Sequence, residues 1–368
     1  MKKRVAVLGA TGSIGKSALD VILAGREHFE VVLLCAHTDR AGLAQAGAQW
    51  PKAQTVLSSE PGGKEALLAA IANARADITI NGISGASGLE PSIAAIESGS
   101  ALALANKETL VMAGPLVLKL AAEKKAPVIP VDSEHSAIFQ LINAHGTESL
   151  DEIILTASGG PFRNLSLDEM RQVSPESALA HPTWNMGPKI TIDSASMANK
   201  GLEVIEAACL FNMPPEKIKV VIQPQSIIHS MIRMKDGALY AQLSRPDMRL
   251  PISSALYWPE ITHSAGFGRL DFDSLTLEFS RPDMEKFPML GLAYQALKNG
   301  GLYPCAYNAA NEAAVAAFLR GQTGFLDIAA ITEYVLSRDW SAALSDIASV
   351  LESDAQARAL AETFIRQE

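Results

Sequence analysis

The chain has 368 residues, 48% hydrophobic and 19% charged, the make-up of a folded globular protein with room for two or three domains. Lys and Arg total 31 against 40 Asp and Glu, a formal charge of −9, with no basic stretch beyond the first few positions. That balance disfavours a nucleic-acid surface, which needs clustered cations, and leaves small anionic ligands to local sites.

The opening "MKKRVAVLGATGSIG" has a basic end and a short apolar run that breaks into glycines too soon for a secretory core. No uninterrupted apolar segment reaches the roughly 18 residues that a membrane span needs. A soluble, cytoplasmic protein is expected. Cys35, Cys209 and Cys305 are widely spaced in apolar or helical surroundings, which suits reduced core thiols rather than disulfides.

Over the first third, apolar runs at 4–8, 31–35, 55–57, 78–80, 101–104 and 128–131 read as strands, with amphipathic stretches such as 13–23 and 64–73 between them. Strict alternation implies a parallel, doubly wound sheet. The first strand feeds "GATGSIG", whose Gly9, Gly12 and Gly15 let the backbone approach a pyrophosphate at a helix N-terminus. A P-loop is the rival, because Lys16 and Ser17 follow. It needs four residues between its glycines, and five separate Gly9 from Gly15. After the second strand, "CAHTDR" offers an acid for a ribose hydroxyl, Asp39, and a base for an NADP phosphate, Arg40, so the residues themselves leave the dinucleotide open.

Ligands in such sheets bind beyond the carboxyl ends of the strands. Two ends carry chemistry: "ALALANKE" delivers Asn106, Lys107 and Glu108, and "VIPVDSEHSA" delivers Asp132, Ser133, Glu134 and His135. If the second segment stays extended, Asp132 and Glu134 share a face, and two close carboxylates call for a shared proton or a hard cation such as Mg²⁺ or Mn²⁺. The plain alternative is a helix cap.

From about residue 151 the texture changes to α+β. "EIILTASGGPF" is a strand entering a glycine turn that carries Ser158, "KVVIQ" is another strand, and "SIIHSMIRMKDGALYAQLS" is a hairpin turning at residues 235–237. "HPTWNMGPK" has the make-up of a lid, with His181, Trp184 and Met186. In "DSASMANKGLEVIEA", Asn199 and Glu203 lie one helical turn apart with Lys200 beside them and Ser194 upstream, a polar face suited to a sugar phosphate. Residues 258–288 read as a connecting arm rich in Pro and Gly, and helical patterns from 289 onward as a small bundle.

Taken together, "GATGSIG", "ALANKE", "VDSEHSA", "ASGGPF", "HPTWNMGPKITIDSASMANKGLEVIEA" and "PDMRLPI" closely resemble the 1-deoxy-D-xylulose 5-phosphate reductoisomerase family, in matching order over nearly the whole chain. The resemblance implies conversion of 1-deoxy-D-xylulose 5-phosphate to 2-C-methyl-D-erythritol 4-phosphate in the non-mevalonate isoprenoid pathway. It implies NADPH, a divalent cation (Mg²⁺, Mn²⁺ or Co²⁺) and a homodimer. The fold implied is α/β, with a Rossmann-like NADP-binding domain at 1–132 and an α+β catalytic and dimerisation domain at 133–257, its lid near 181–189. The arm at 258–288 and a helical domain at 289–368 complete it.

Carried across residue by residue, the metal ligands would be Asp132, Glu134 and Glu203. Lys107, Ser133, Glu134, Ser158, His181, Trp184, Ser194, Asn199, Lys200 and Glu203 would contact substrate, with Lys107, Asp132, Glu134, His181 and Glu203 closest to the chemistry. NADPH would lie on Thr11, Gly12, Ser13, Ile14, Asn106, Glu108 and Gly187, with Met248 near the nicotinamide. Many family members carry a lysine after the second strand to meet the NADP phosphate, and here His37 and Arg40 are the substitutes on offer.

Two rival readings keep a discriminating feature each. A semialdehyde-type dehydrogenase would need a nucleophilic cysteine with a histidine partner. A non-catalytic dinucleotide sensor would leave the carboxylates and the serine-lysine cluster without purpose.

Overall fold

The computed structural model describes residues 1–180, 184, 186–260 and 269–367. They divide into two compact units. The first comprises Met1–Thr109, Val117–Phe139 and Asp247–Arg269, the second Leu110–Leu116, Gln140–Pro246 and Leu270–Glu368.

The first unit alternates strand and helix, as the apolar spacing requires: β1 (Lys3–Leu8), α1 (Ser13–Ala24), β2 (Phe29–Ala36), α2 (Arg40–Gln49), β3 (Gln54–Leu57), α3 (Gly63–Ala74), β4 (Ile78–Asn81), α4 (Leu89–Glu97), β5 (Ala101–Leu104), α5 (Glu108–Lys124), β6 (Val128–Pro130) and α6 (Ser133–His145). The strands form one parallel sheet in the order β3-β2-β1-β4-β5-β6. Its strands are largely apolar, as a covered parallel sheet requires, and Val5, Val7, Val31, Leu34, Ile78, Ile80, Ala103 and Ile129 enter one core. The strand order reverses between β1 and β4, so the crevice at the carboxyl ends opens beside the glycine loop that follows β1.

Two segments cross the boundaries expected at 132 and 257. Residues of α6 up to Phe139 belong to the first unit, and so does α11 (Arg249–Tyr257), which packs on α1. Ile252, Ala255 and Leu256 complete the sheet's core, and the Lys3 ammonium donates to the carbonyls of Leu256 (2.8 Å) and Trp258 (3.3 Å). Of the expected arm, residues 258–260 and Arg269 group with the first unit, residues from Leu270 group with the second, and 261–268 lie outside the described residues. Conversely, Leu110–Leu116 of α5 joins the second unit. Ala113 leaves helical geometry (φ −140°, ψ 24°) just before Pro115, whose ring and missing N–H break the helical ladder. Gly114 admits Cys209 from α10 (Ala198–Leu210), because a Cβ there would lie 2.2 Å from the thiol sulfur.

In the second unit, β7 (Leu150–Ala157), β8 (Ile218–Ile222), β9 (Ile228–Met234) and β10 (Leu239–Leu243) form a mixed sheet in the order β10-β9-β7-β8. The β9–β10 hairpin turns through Gly237 (φ +90°), where sequence placed it. Short helices α7 (Leu167–Met170) and α8 (Pro175–Ala178) precede α9 (Pro188–Ala195) and α10. The tail is helical as expected: α12 (Pro288–Asn299), α13 (Tyr303–Leu319), α14 (Asp327–Leu336) and α15 (Ile347–Ile365). Alanines 306, 309, 310, 314 and 317 of α13 are fully buried, and these small side chains let α12, α14 and α15 pack close around it.

Candidate active site

The glycine loop is a cradle made by steric necessity. Gly9 has φ +78°, and a Cβ there would lie 2.8 Å from the carbonyl oxygen of Gly82, while a Cβ on Gly15 would lie 2.2 Å from Gly9 O. The backbone of α1 is thus pressed onto the loop, and Gly12, at its N-cap, offers no side-chain cap. Among the described residues no side chain caps α1, so its first-turn N–H groups can face an external acceptor, the arrangement a dinucleotide pyrophosphate uses. Substitution of Gly15 by Ala is expected to weaken NADPH binding at least about tenfold by lifting α1 from the loop; a fluorescence titration giving wild-type affinity would contradict this.

At the next two strand ends the sheet itself makes an ion pair. β5 and β6 are parallel neighbours with Leu104 opposite Pro130, so Lys107 and Asp132, each just beyond, emerge side by side. Lys107 Nζ lies 2.7 Å from Asp132 Oδ2, and the buried His135 places Nδ1 3.3 Å from Oδ1. Burial opposes ionisation of Asp132, but the Lys107 ammonium and His135 prevail and hold its carboxyl well below the usual range. The carboxylate is anionic and still has lone pairs to offer, as a hard-cation ligand requires.

The extended geometry expected for this segment is wrong. Pro130 closes β6 and α6 starts at Ser133, so Asp132 both pairs with Lys107 and caps the helix, accepting from Glu134 N at 3.2 Å. Glu134 accepts from Ser133 Oγ at 2.6 Å. The cap and the functional reading are compatible. Nearby, Asn106 is a hub: its amide donates to the carbonyls of Ile83 (2.8 Å) and Gly85 (2.9 Å) and to Glu108 Oε2 (3.0 Å), while its oxygen accepts from Thr109. Those bonds fix the loop beyond β4 beside the glycine cradle.

Asp39 caps α2 by accepting from Gly42 N at 2.8 Å. Arg40 pairs with Glu60, and His37 Nδ1 lies 3.1 Å from Ser58 Oγ. These contacts put an exposed cation and an imidazole at the end of β2, where a 2′-phosphate is met in this class of sheet. Met248 precedes α11 and packs against the first unit's core.

The second unit gathers the phosphate-binding candidates. Ser158 opens the turn after β7, in which Gly159 and Gly160 have φ +81° and +68° and Gly160 N donates to Ser158 Oγ at 3.2 Å. A Cβ on Gly160 would lie 2.7 Å from Ser194 O, so this turn rests on the end of α9. On α10, Glu203 is fully buried and accepts from Asn199 at 2.5 Å and from Lys200. The i, i+1, i+4 spacing noted in sequence therefore makes one hydrogen-bonded group.

Of the expected lid, residues 181–183 and 185 lie outside the described residues, and His181 is among them. Trp184 is tilted against His229 with ring centroids 6.2 Å apart, and Gly187 is the N-cap of α9, so the last residues of the expected lid are already helix. Sequence reasoning passed over Asp193 and Asn311; their buried contact, 118 residues apart in sequence, has no local signature.

The cysteines carry no activated thiol. Burial raises all three, pushing Cys209 and Cys305 up to about 12, with the Glu206 carboxylate adding to the effect at Cys209. A raised thiol stays protonated at neutral pH and is a poor nucleophile. Iodoacetamide at pH 7.5 is therefore expected to leave turnover unchanged; rapid inactivation protected by substrate would contradict this.

Comparison with known proteins bears on the whole chain. The family profile described as 1-deoxy-D-xylulose 5-phosphate reductoisomerase matches residues 5–62 and 58–114. The profile of its C-terminal domain matches 128–211, and that of the DXP reductoisomerase C-terminal domain matches 243–360. The reductoisomerase of Chlorobium chlorochromatii (strain CaD3) is 50% identical over 383 residues, covering 99% of this chain and 100% of the relative. That of Treponema denticola is 48% identical over 368 residues, covering 98% and 96%. Among solved structures, the Zymomonas mobilis reductoisomerase in complex with NADPH aligns with TM-score 0.91 at 43% identity, covering 99% of both chains. A DOX-P reductoisomerase in complex with NADPH, fosmidomycin and magnesium aligns at 0.88 and 35%, covering 99% of this chain and 98% of that one.

Proposed function

Since this chain belongs to the 1-deoxy-D-xylulose 5-phosphate reductoisomerase family, we propose that Asp132, Glu134 and Glu203 hold its divalent cation and that Lys107 completes the reacting centre. The enzyme converts 1-deoxy-D-xylulose 5-phosphate to 2-C-methyl-D-erythritol 4-phosphate with NADPH and a divalent cation, in the non-mevalonate isoprenoid pathway. The observation that carries the residue assignment is the pair formed by buried Lys107 and partly buried Asp132 at the carboxyl ends of β5 and β6.

The donor chemistry fits both groups: all-oxygen ligands suit Mg²⁺, Mn²⁺ or Co²⁺, and the glycine cradle fits a pyrophosphate. Once bound, the cation polarises the substrate's carbonyl and NADPH supplies hydride for the reduction. The protein's own share is positioning and charge. Lys107 keeps Asp132 ionised and places a cation beside the reacting oxygens. Ser133 orients Glu134, and Asn199 and Lys200 orient Glu203.

Ser158, Ser194, Asn199 and Lys200 bind the phosphate, whose remote binding energy is spent on orienting the reacting end. His181 and Trp184 cover the bound sugar against water. Thr11, Gly12, Ser13, Ile14, Asn106, Glu108, Gly187 and Met248 hold NADPH, with Arg40 and His37 meeting its 2′-phosphate.

The division of labour proposed is dinucleotide binding by 1–132, catalysis and dimerisation by 133–257, linkage by 258–288 and support by 289–368. The segments that pack with the first unit, up to Phe139 and from Asp247, serve its cofactor side. Action as a cytoplasmic homodimer and use of Mn²⁺ as well as Mg²⁺ belong to the same proposal. Among the described residues no helix is long and apolar enough to cross a membrane.

The experiment is NADPH oxidation driven by 1-deoxy-D-xylulose 5-phosphate, with the product identified by NMR and the rate compared with NADH. Formation of 2-C-methyl-D-erythritol 4-phosphate, faster with NADPH, is the expected result. Product formed equally well with NADH would remove Arg40 and His37 from the cofactor site.

A further inference from the structure

Helix α9 has eight residues, yet it carries Ser194 at one end and supports the Ser158 turn through the contact at Gly160. So short a helix has little stability of its own and must be held by tertiary contacts. One residue before Ser194, Asp193 is 1% exposed and turned into the second unit. Its Oδ2 lies 2.9 Å from Lys189 Nζ, one turn earlier on the same face. Its Oδ1 accepts from the amide of Asn311 on α13 at 2.7 Å. Asn311 is itself fully buried, and its Oδ1 has no hydrogen-bond partner among the described residues. A buried amide that leaves its oxygen unsatisfied is costly, and here its nitrogen donates to the carboxylate. Four residues before Asn311, the buried Tyr307 hydroxyl donates to Met289 O at 3.1 Å, which fixes α13 at the level of the contact.

We propose that Asp193 and Asn311 are positioning residues that lock α9 onto α13 and so set Ser194, and through Gly160 also Ser158, for the substrate phosphate. The inference rests on the reading above that these serines bind phosphate. It adds a further element: the C-terminal helical region determines sugar-phosphate affinity without touching the ligand. A charged acceptor suits this task, because charge-assisted bonds are shorter and stronger than neutral ones and tolerate less drift. A displacement of about 1 Å in a binding group is enough to cost up to about a hundredfold in rate or affinity.

The test is a set of purified full-length variants assayed with saturating cation. Asn311→Leu keeps the branched shape and removes the donor, and Asn311→Ala removes it without added bulk should the leucine variant fold poorly. Either is expected to raise KM for 1-deoxy-D-xylulose 5-phosphate about tenfold while NADPH affinity stays within about twofold. The exchanged pair Asp193→Asn with Asn311→Asp restores a donor facing a carboxylate and is expected to recover most of that KM. An unchanged KM in the single variants would overturn the proposal. So would a general loss, in which NADPH affinity and KM suffer alike and the exchanged pair recovers neither. Ser194→Ala separates the two layers: if its KM is also unchanged, the phosphate reading itself fails, whereas a raised KM there with none in Asn311→Leu removes only the lock.

Discussion

Replacing Glu203 by Gln is expected to lower kcat/KM about a thousandfold and to raise the cation concentration needed for half activity. The substitution preserves shape and keeps an acceptor for Asn199, but it removes the charge from a fully buried site. Lys200, which donates to this carboxylate, loses the opposite charge that it meets there. Breaking a buried pair on one side commonly costs about 3–5 kcal/mol, so a lower melting temperature is also expected. The two effects separate by titration with Mn²⁺: loss of metal dependence is read in the midpoint, loss of fold in the melting curve. A variant retaining wild-type kcat/KM and cation midpoint would remove Glu203 from the ligand set.

Lys107→Ala is expected to reduce turnover by at least about a hundredfold, since under the proposed assignment it removes a side-chain cation beside the reacting oxygens. Its pH dependence gives a second readout. Burial alone would push the Asp132 carboxyl up, and Lys107 is the leading opposing influence, ahead of His135. A depressed carboxyl is ionised above its lowered pKa and is lost only as pH falls through it. Without Lys107 the carboxyl rises, so the acid limb of the kcat/KM profile should move to higher pH. Full turnover in the alanine variant, or an acid limb that does not move, would show that Lys107 does not govern Asp132.

Much of the architecture was legible because its signals are local. The six apolar runs of the first third are the six parallel strands, differing only at their ends, and "TASGGPF" and "KDG" are the turns that their glycines require. The polar face of α10 followed from helical spacing alone. What periodicity does not report is which distant segment a face meets. The apolar run before Asp132 suggests an extended segment, but α6 begins one residue after it because Pro130 ends the strand and Asp132 itself supplies the cap.

The Lys107–Asp132 pair becomes visible only with the strand order, which sets β5 beside β6. Likewise α11 gave no sign that its Ile252, Ala255 and Leu256 would fill the core of a sheet begun some 250 residues earlier in the sequence. The Asp193–Asn311 contact spans 118 residues and had no signature short of the fold.

The decisive measurement is NADPH oxidation with 1-deoxy-D-xylulose 5-phosphate before chelation, after chelation, and after Mg²⁺ or Mn²⁺ is restored, with NADPH binding followed in parallel. Turnover that vanishes with the chelator and returns with the cation, while NADPH binding persists throughout, is the predicted result. Turnover indifferent to chelation, or NADPH bound with no turnover under any cation, would contradict it.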